Sequence, residues 1–98
     1  MNAEQEIEKL KYHQSLLLTM LLDKEDTDFS FFHMILNYDL SSEETKEMIH
    51  SVSKNLTYEE FASSIKRIKE SLNAEYVLKS LTSQNIHKEK AEFILINR

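Results

Sequence analysis

Leu56-Thr57-Tyr58-Glu59-Glu60-Phe61 is the stretch that decides how this chain folds. Thr57 and Glu60 have the spacing of a capping box, in which a hydroxyl and a carboxylate three residues on satisfy the orphaned N–H groups of a helix's first turn. Leu56 before the box and Phe61 after it are placed as a hydrophobic staple. The helix that starts there has Phe61, Ile65, Ile68 and Leu72 as its inner stripe, at the three- and four-residue steps of one helix face. Asn73 then ends it or caps the next helix, which carries Val77, Leu78 and Leu81 and ends near Asn85. Upstream, Ser41-Ser42-Glu43-Glu44 is a second capping box. Its helix has Thr45, Met48, Ile49 and Val52 inward and stops near Asn55, since asparagine tolerates the left-handed backbone that glycine usually supplies.

The N-terminal helix is capped by Asn2 and carries Glu4 and Glu6 in its first turn, where acids complement the helix dipole. Ile7, Leu10, Leu17 and Leu21 form its apolar stripe, interrupted by Gln14. Its second half, Leu16-Leu17-Leu18-Thr19-Met20-Leu21-Leu22, is apolar nearly all round, which requires cover on several sides. Either this segment is central in the monomer, or Leu10, Leu17 and Leu21 meet another subunit. With Leu17 and Phe61 both taken as core, Leu17→Asp and Phe61→Ala are each expected to unfold the domain. After a polar link over residues 23–28 capped by Thr27 or Asp28, a short helix from Phe29 to Leu36 is expected to bring Phe29, Phe32, Ile35 and Leu36 to the core. The C-terminal cluster Phe93, Ile94, Leu95 and Ile96 is expected to dock on the body.

All 98 residues are read as a single all-α domain, a compact bundle of five or six helices with a long N-terminal helix. The chain has no glycine and no proline, so the residues that make tight hairpin turns are missing. It has no cysteine, which removes disulfides, thiolate nucleophiles and sulfur-ligated zinc. Early acidic charge and the lack of a long apolar run speak for a soluble protein in the cytoplasm, with no signal peptide and no membrane partner. The net charge of −5 is uneven: residues 1–50 carry 4 basic and 11 acidic side chains, residues 51–98 carry 8 and 6, so the halves are −7 and +2. No dense basic stripe of the kind that nucleic acid needs is present. Lys66, Arg67 and Lys69 follow Glu59 and Glu60 on one helix, an arrangement that complements the helix dipole.

Chemistry near neutral pH would rest on His13, His33, His50 and His87, each on a different element. Glu47 and His50 form one Glu-x-x-His, but a di-iron bundle needs a second copy and two more inward glutamates. Only a symmetric interface would bring two copies together. The acids between Asp23 and Asp28 lack the glycine and terminal glutamate of a calcium loop, and Phe29, Phe31 and Phe32 follow where ligands would be needed. No glycine-rich phosphate loop or strained nucleophile turn exists. The chain is therefore read as not an enzyme, with no catalytic residue, cofactor or metal.

Ile7-Glu8-Lys9-Leu10-Lys11-Tyr12 with the Leu16–Leu18 run, Phe31-Phe32-His33-Met34-Ile35, Leu40-Ser41-Ser42-Glu43-Glu44, Leu56-Thr57-Tyr58-Glu59-Glu60-Phe61, Leu72-Asn73-Ala74-Glu75 and Leu81-Thr82-Ser83-Gln84-Asn85-Ile86-His87 occur in this order. In that order the chain resembles the YhaI-type family, small bacterial helical proteins of unknown function, from about Ile7 to Phe93. The resemblance implies a fold and no functional residue. Compared with that family the chain is shorter between Asn55 and Leu56, and it has Asp39 and Asn85 where glycine is expected. The leading functional expectation is a non-catalytic interaction or regulatory protein that self-associates and binds an unidentified protein. Two alternatives stand beside it: an acidic inhibitor that presents Glu43, Glu44 and Glu47 to a basic groove of a nucleic-acid-binding protein, and a metal site formed by Glu47 and His50 across a symmetric interface.

Overall fold

Local capping builds the helices of the computed structural model, which describes residues 3–54 and 57–98. Six helices lie among them: α1 (Ala3–Leu22), α2 (Ser30–Asn37), α3 (Ser42–Lys54), α4 (Tyr58–Ile68), α5 (Ala74–Ser83) and α6 (Lys88–Ile96). Asn2, Asn55 and Leu56, read above as a cap, a helix end and half of a staple, lie outside the described residues. Both boxes form. The Glu44 N–H donates to Ser41 Oγ (3.1 Å), and the Ser41 N–H donates to Glu44 Oε1 (2.8 Å). The Glu60 N–H donates to Thr57 Oγ1 (3.1 Å), whose hydroxyl donates to Glu60 Oε1 (3.0 Å). Asn73 caps α5, its Oδ1 accepting from the Tyr76 N–H (2.9 Å).

Two helix ends show how a chain without glycine turns. At the end of α2 the Asp39 N–H donates to the Leu36 carbonyl (3.1 Å) and the Leu40 N–H to the Ile35 carbonyl (3.0 Å). At the end of α5 the Asn85 and Ile86 N–H groups reach the Thr82 (3.2 Å) and Leu81 (2.9 Å) carbonyls. Both are Schellman motifs, which need a left-handed residue one past the cap. Asp39 (φ 56°) and Asn85 (φ 61°) supply it, at a cost of roughly 1–2 kcal/mol each.

Helix α5 is central, packing on α6, α2 and α4, while α3 packs on α4 and α6. Their shared core includes Phe31, Met34, Ile35, Leu40, Met48, Val52, Phe61, Ile65, Leu72, Val77, Leu78, Leu81 and Ile94. Leu72, expected on α4, is buried in the link after that helix has ended at Ile68. The short aromatic helix is rotated from its expected setting. Phe31, Met34 and Ile35 are buried, whereas Phe29 and Phe32 stack on each other with ring centroids 5.4 Å apart, half-buried at the rim. The cause lies 53 residues away: Gln84 Oε1 accepts from the N–H groups of Phe31 (2.9 Å) and Phe32 (3.1 Å), so α5's C-cap residue caps α2. Helix α6 docks through Ala91 and Ile94, and leaves Phe93 and Ile96 exposed. Arg98 ties its end back to Glu75 on α5 (3.0 Å).

Candidate interaction surface

Helix α1 attaches to the body by a face that reads as polar. Lys9 is buried, and its Nζ donates to Asp39 Oδ2 (2.7 Å). One turn on, His13 Nε2 lies 2.7 Å from the Leu40 carbonyl, an acceptor, so this nitrogen carries the proton. His13 Nδ1 stands 3.8 Å from Asp39 Oδ1. Leu16 is the buried apolar contact of the helix, and Tyr12 packs beside it against the core. The Lys69 ammonium donates to the Tyr38 carbonyl, which brings a further cation to the same corner. Asp39, the residue that turns the chain out of α2, is thus also the anion that holds α1. Its hydrogen bond from Lys9, followed by the nearby charges of Lys9, His13 and Lys69, holds its carboxyl below the ordinary 3.8. The same hydrogen bond raises Lys9 above 10.5.

Of the two settings open to the apolar stripe of α1, a place inside the monomer is not the one observed. Leu10 is 57 % exposed, Leu17 52 % and Leu21 80 %, with Ile7, Leu18 and Leu22 likewise more than half exposed. The expectation that Leu17 is a core residue is therefore corrected. At 3.6 residues per turn the docking stripe of Lys9, Tyr12, His13 and Leu16 and the free stripe of Ile7, Leu10, Gln14, Leu17 and Leu21 lie about 130° apart around the helix. Six large aliphatic side chains on one helix, most of them on one face, exceed the scattered apolar exposure normal for a monomer's surface. The periodicity had found the apolar stripe. The second spacing, Lys9–His13–Leu16, carries the docking signal, and apolar periodicity misses it because a lysine and a histidine do not look like contact residues.

Among the acidic positions, Glu43 and Glu44 line a cleft of about 310 Å³ with Gln5, Glu8, Lys9, Ser41 and Ser42. Glu44 is occupied there by its own capping box. Glu47 and His50 line a different groove, of about 410 Å³ between α3 and α4, with Lys46, Lys54 and Arg67. Among the described residues Glu47 is the one carboxylate on that largely cationic wall. Among them, too, no three His, Asp or Glu side chains converge as metal ligands. In the link after α1, Asp23 Oδ2 accepts from the Thr27 N–H (3.0 Å) and Asp28 Oδ1 from the Ser30 N–H (2.8 Å), so both carboxylates are engaged in turns. Those bonds hold both carboxyls below their ordinary value.

No helix among the described residues is long and apolar enough to cross a membrane. Neither curated proteins nor solved structures give a match to this chain. Over residues 1–97 the sequence matches a family whose description is "Protein of unknown function (DUF1878)". The match takes in all six helices described above, and the chain belongs to this family.

Proposed function

We propose that the protein is a non-catalytic interaction module that self-associates through the free face of α1. The observation that carries this reading is the exposed stripe of Leu10, Leu17 and Leu21 on a helix that is fastened to its own body by the other side. A helix fastened in this way is already folded when it meets a partner, so association does not have to offset the cost of helix nucleation. A second copy of the chain is the occupant, because the stripe repeats at the three-four spacing by which helices of one sequence pack on each other. The proposal extends to the setting. Like the YhaI-type proteins it resembles, the chain acts in the bacterial cytoplasm, a reading in keeping with its lack of cysteine.

Light scattering on the purified full chain, at about 10–100 μM where associations of moderate strength are populated, tests the proposal. The expected result is a mass of two or more chains, falling to one chain in a Leu10→Lys, Leu21→Lys double variant that keeps its helical circular dichroism. A parent protein that stays monomeric over this range refutes it.

A further inference from the structure

The free face of α1 also holds information about orientation. Ile7, Leu10, Gln14, Leu17 and Leu21 follow steps of three, four, three and four, which are the a, d, a, d and a positions of a heptad repeat. All five are exposed. From this register we infer that two copies of the chain pair through α1 in parallel and in register, with Gln14 facing Gln14 of the second copy. The inference rests on the self-association proposed above and adds its geometry.

Three features carry it. Gln14 interrupts the middle of the seam. In a parallel pair each layer sets a residue against its own equivalent, so the two glutamine amides supply each other with a donor and an acceptor. An antiparallel pair sets a positions against d positions. Its two best-filled registers would bury the Gln14 amide against Leu10 or Leu17, without a polar partner. The flanks agree. Parallel pairing brings a g position against the e position of the following heptad in the second helix, here Glu6 against Lys11. Lys11 makes no ion pair among the described residues of a single chain, and Glu6 has only the 3.5 Å contact to Lys9. Antiparallel pairing would match Lys11 with itself or with Leu18. Finally, isoleucine at the first a position and leucine at both d positions favour two strands.

The docking stripe lies about 130° from the seam by the helical repeat, so both bodies stand clear of the contact. They then lie side by side and point the same way, and identical surfaces are presented together. Such a pair engages a repeated or two-fold symmetric partner with the gain of bivalency.

The absence of cysteine makes the test direct. Ile7→Cys and Leu21→Cys each introduce one thiol at an exposed seam position, outside the core. In a parallel pair the two thiols introduced at position 7 are adjacent, and so are the two introduced at position 21. In the two antiparallel registers above, position 7 faces position 17 or position 21 faces position 10, and the two copies of position 7, like those of position 21, lie roughly 15 Å or more apart along the axis, well beyond disulfide reach, so neither single variant bridges to itself. Each full-length variant is oxidised alone, then the two are mixed as native proteins, allowed to exchange and oxidised, with Glu8→Cys as an off-seam control. The expected result is a shift of each single variant to dimer mass on non-reducing gels, reversed by reductant, with 7–7 and 21–21 bridges in the mixture. Bridges that form only when Ile7→Cys is mixed with Leu17→Cys, or Leu21→Cys with Leu10→Cys, overturn the parallel geometry while leaving self-association standing. A parent protein that associates while none of these variants cross-links, alone or in those mixtures, overturns the α1 seam itself. A monomeric parent refutes the earlier proposal and this inference together.

Discussion

Replacing Leu17 by aspartate separates the two roles that an apolar helix can have. Leu17 is 52 % exposed on a single chain, with Ile7 at 51 %, Leu10 at 57 % and Leu21 at 80 %. Two copies therefore have about five side chains' worth of apolar surface left to bury along the seam, or roughly 7–15 kcal/mol at ~1.5–3 kcal/mol per fully buried side chain. Association costs of about 4–15 kcal/mol oppose that gain and are of the same size, so the pairing is sensitive to the loss of a single side chain. Losing Leu17 from both copies removes roughly one side chain's worth, a weakening of roughly 10- to 100-fold, before the cost of two facing carboxylates is added. The monomer's own stability should change by no more than about 0.5 kcal/mol, as for other substitutions at exposed sites. Phe61→Ala is the contrast: Phe61 is wholly buried, and its truncation should cost about 3–5 kcal/mol. Urea unfolding followed by circular dichroism at a concentration where the parent is monomeric, with light scattering at higher concentration, measures both quantities. If Leu17→Asp unfolds the monomer as Phe61→Ala does, the placement of α1 is wrong. If it leaves the mass of an associating parent unchanged, the seam is wrong.

The Lys9–Asp39 pair that anchors α1 should lose its contribution at both extremes of pH. Asp39 is held below 3.8, so its contribution is full above that value and lost as pH falls through the lowered one; Lys9 is held above 10.5, so its contribution is full below that value and lost as pH rises through the raised one. Lys9→Met keeps the packed stem and removes the charge. Its stability deficit in urea titrations should be constant between about pH 5 and 10 and shrink below about pH 4, whereas a deficit that persists under acid would refute the ion pair as its source. Gln84→Ala leaves the Phe31 and Phe32 N–H groups without their acceptor and should cost about 1–3 kcal/mol, with a change in the near-ultraviolet dichroism of the aromatic segment; no change in either would show that water replaces the amide. Thr57→Ala removes the α4 cap and should cost about 1 kcal/mol in the same titration, well below Phe61→Ala, and an equal effect would mean that the cap carries more than one orphaned N–H.

A bundle of five or six helices, the starts of α3, α4 and α5 and the end of α5 were legible in the sequence, because each is settled within a few residues. A serine or threonine and a glutamate three positions on complete a cap between themselves, at Ser41 and Glu44 and at Thr57 and Glu60. With glycine absent, the left-handed turn after α5 fell to Asn85, and the turn after α2 fell to Asp39. The candidate surface was legible only in part. The stripe of Leu10, Leu17 and Leu21 was plain, but whether it faced inward or outward was not, since burial depends on what stands opposite a side chain and not on its own hydropathy. Glu43, Glu44 and Glu47 looked alike in sequence, and only the folded chain sets two of them in one cleft and the third in another.

By itself the sequence determined an all-α chain of five or six helices whose first helix carries more apolar surface than one docking face can use. Tertiary structure decided which face of that helix docks and which aromatic ring enters the core. The Schellman turn after α2 points the Asp39 carboxylate and the Leu40 carbonyl at α1, and a buried lysine and a proton-bearing histidine nitrogen are the groups that can satisfy them. Gln84, arriving from α5, holds the first N–H groups of α2 and so sets Phe31, rather than Phe29 or Phe32, into the core. Both outcomes follow from hydrogen bonds between residues 27–53 positions apart. Partners at that separation meet only after the intervening helices have packed, so no local pattern encodes them.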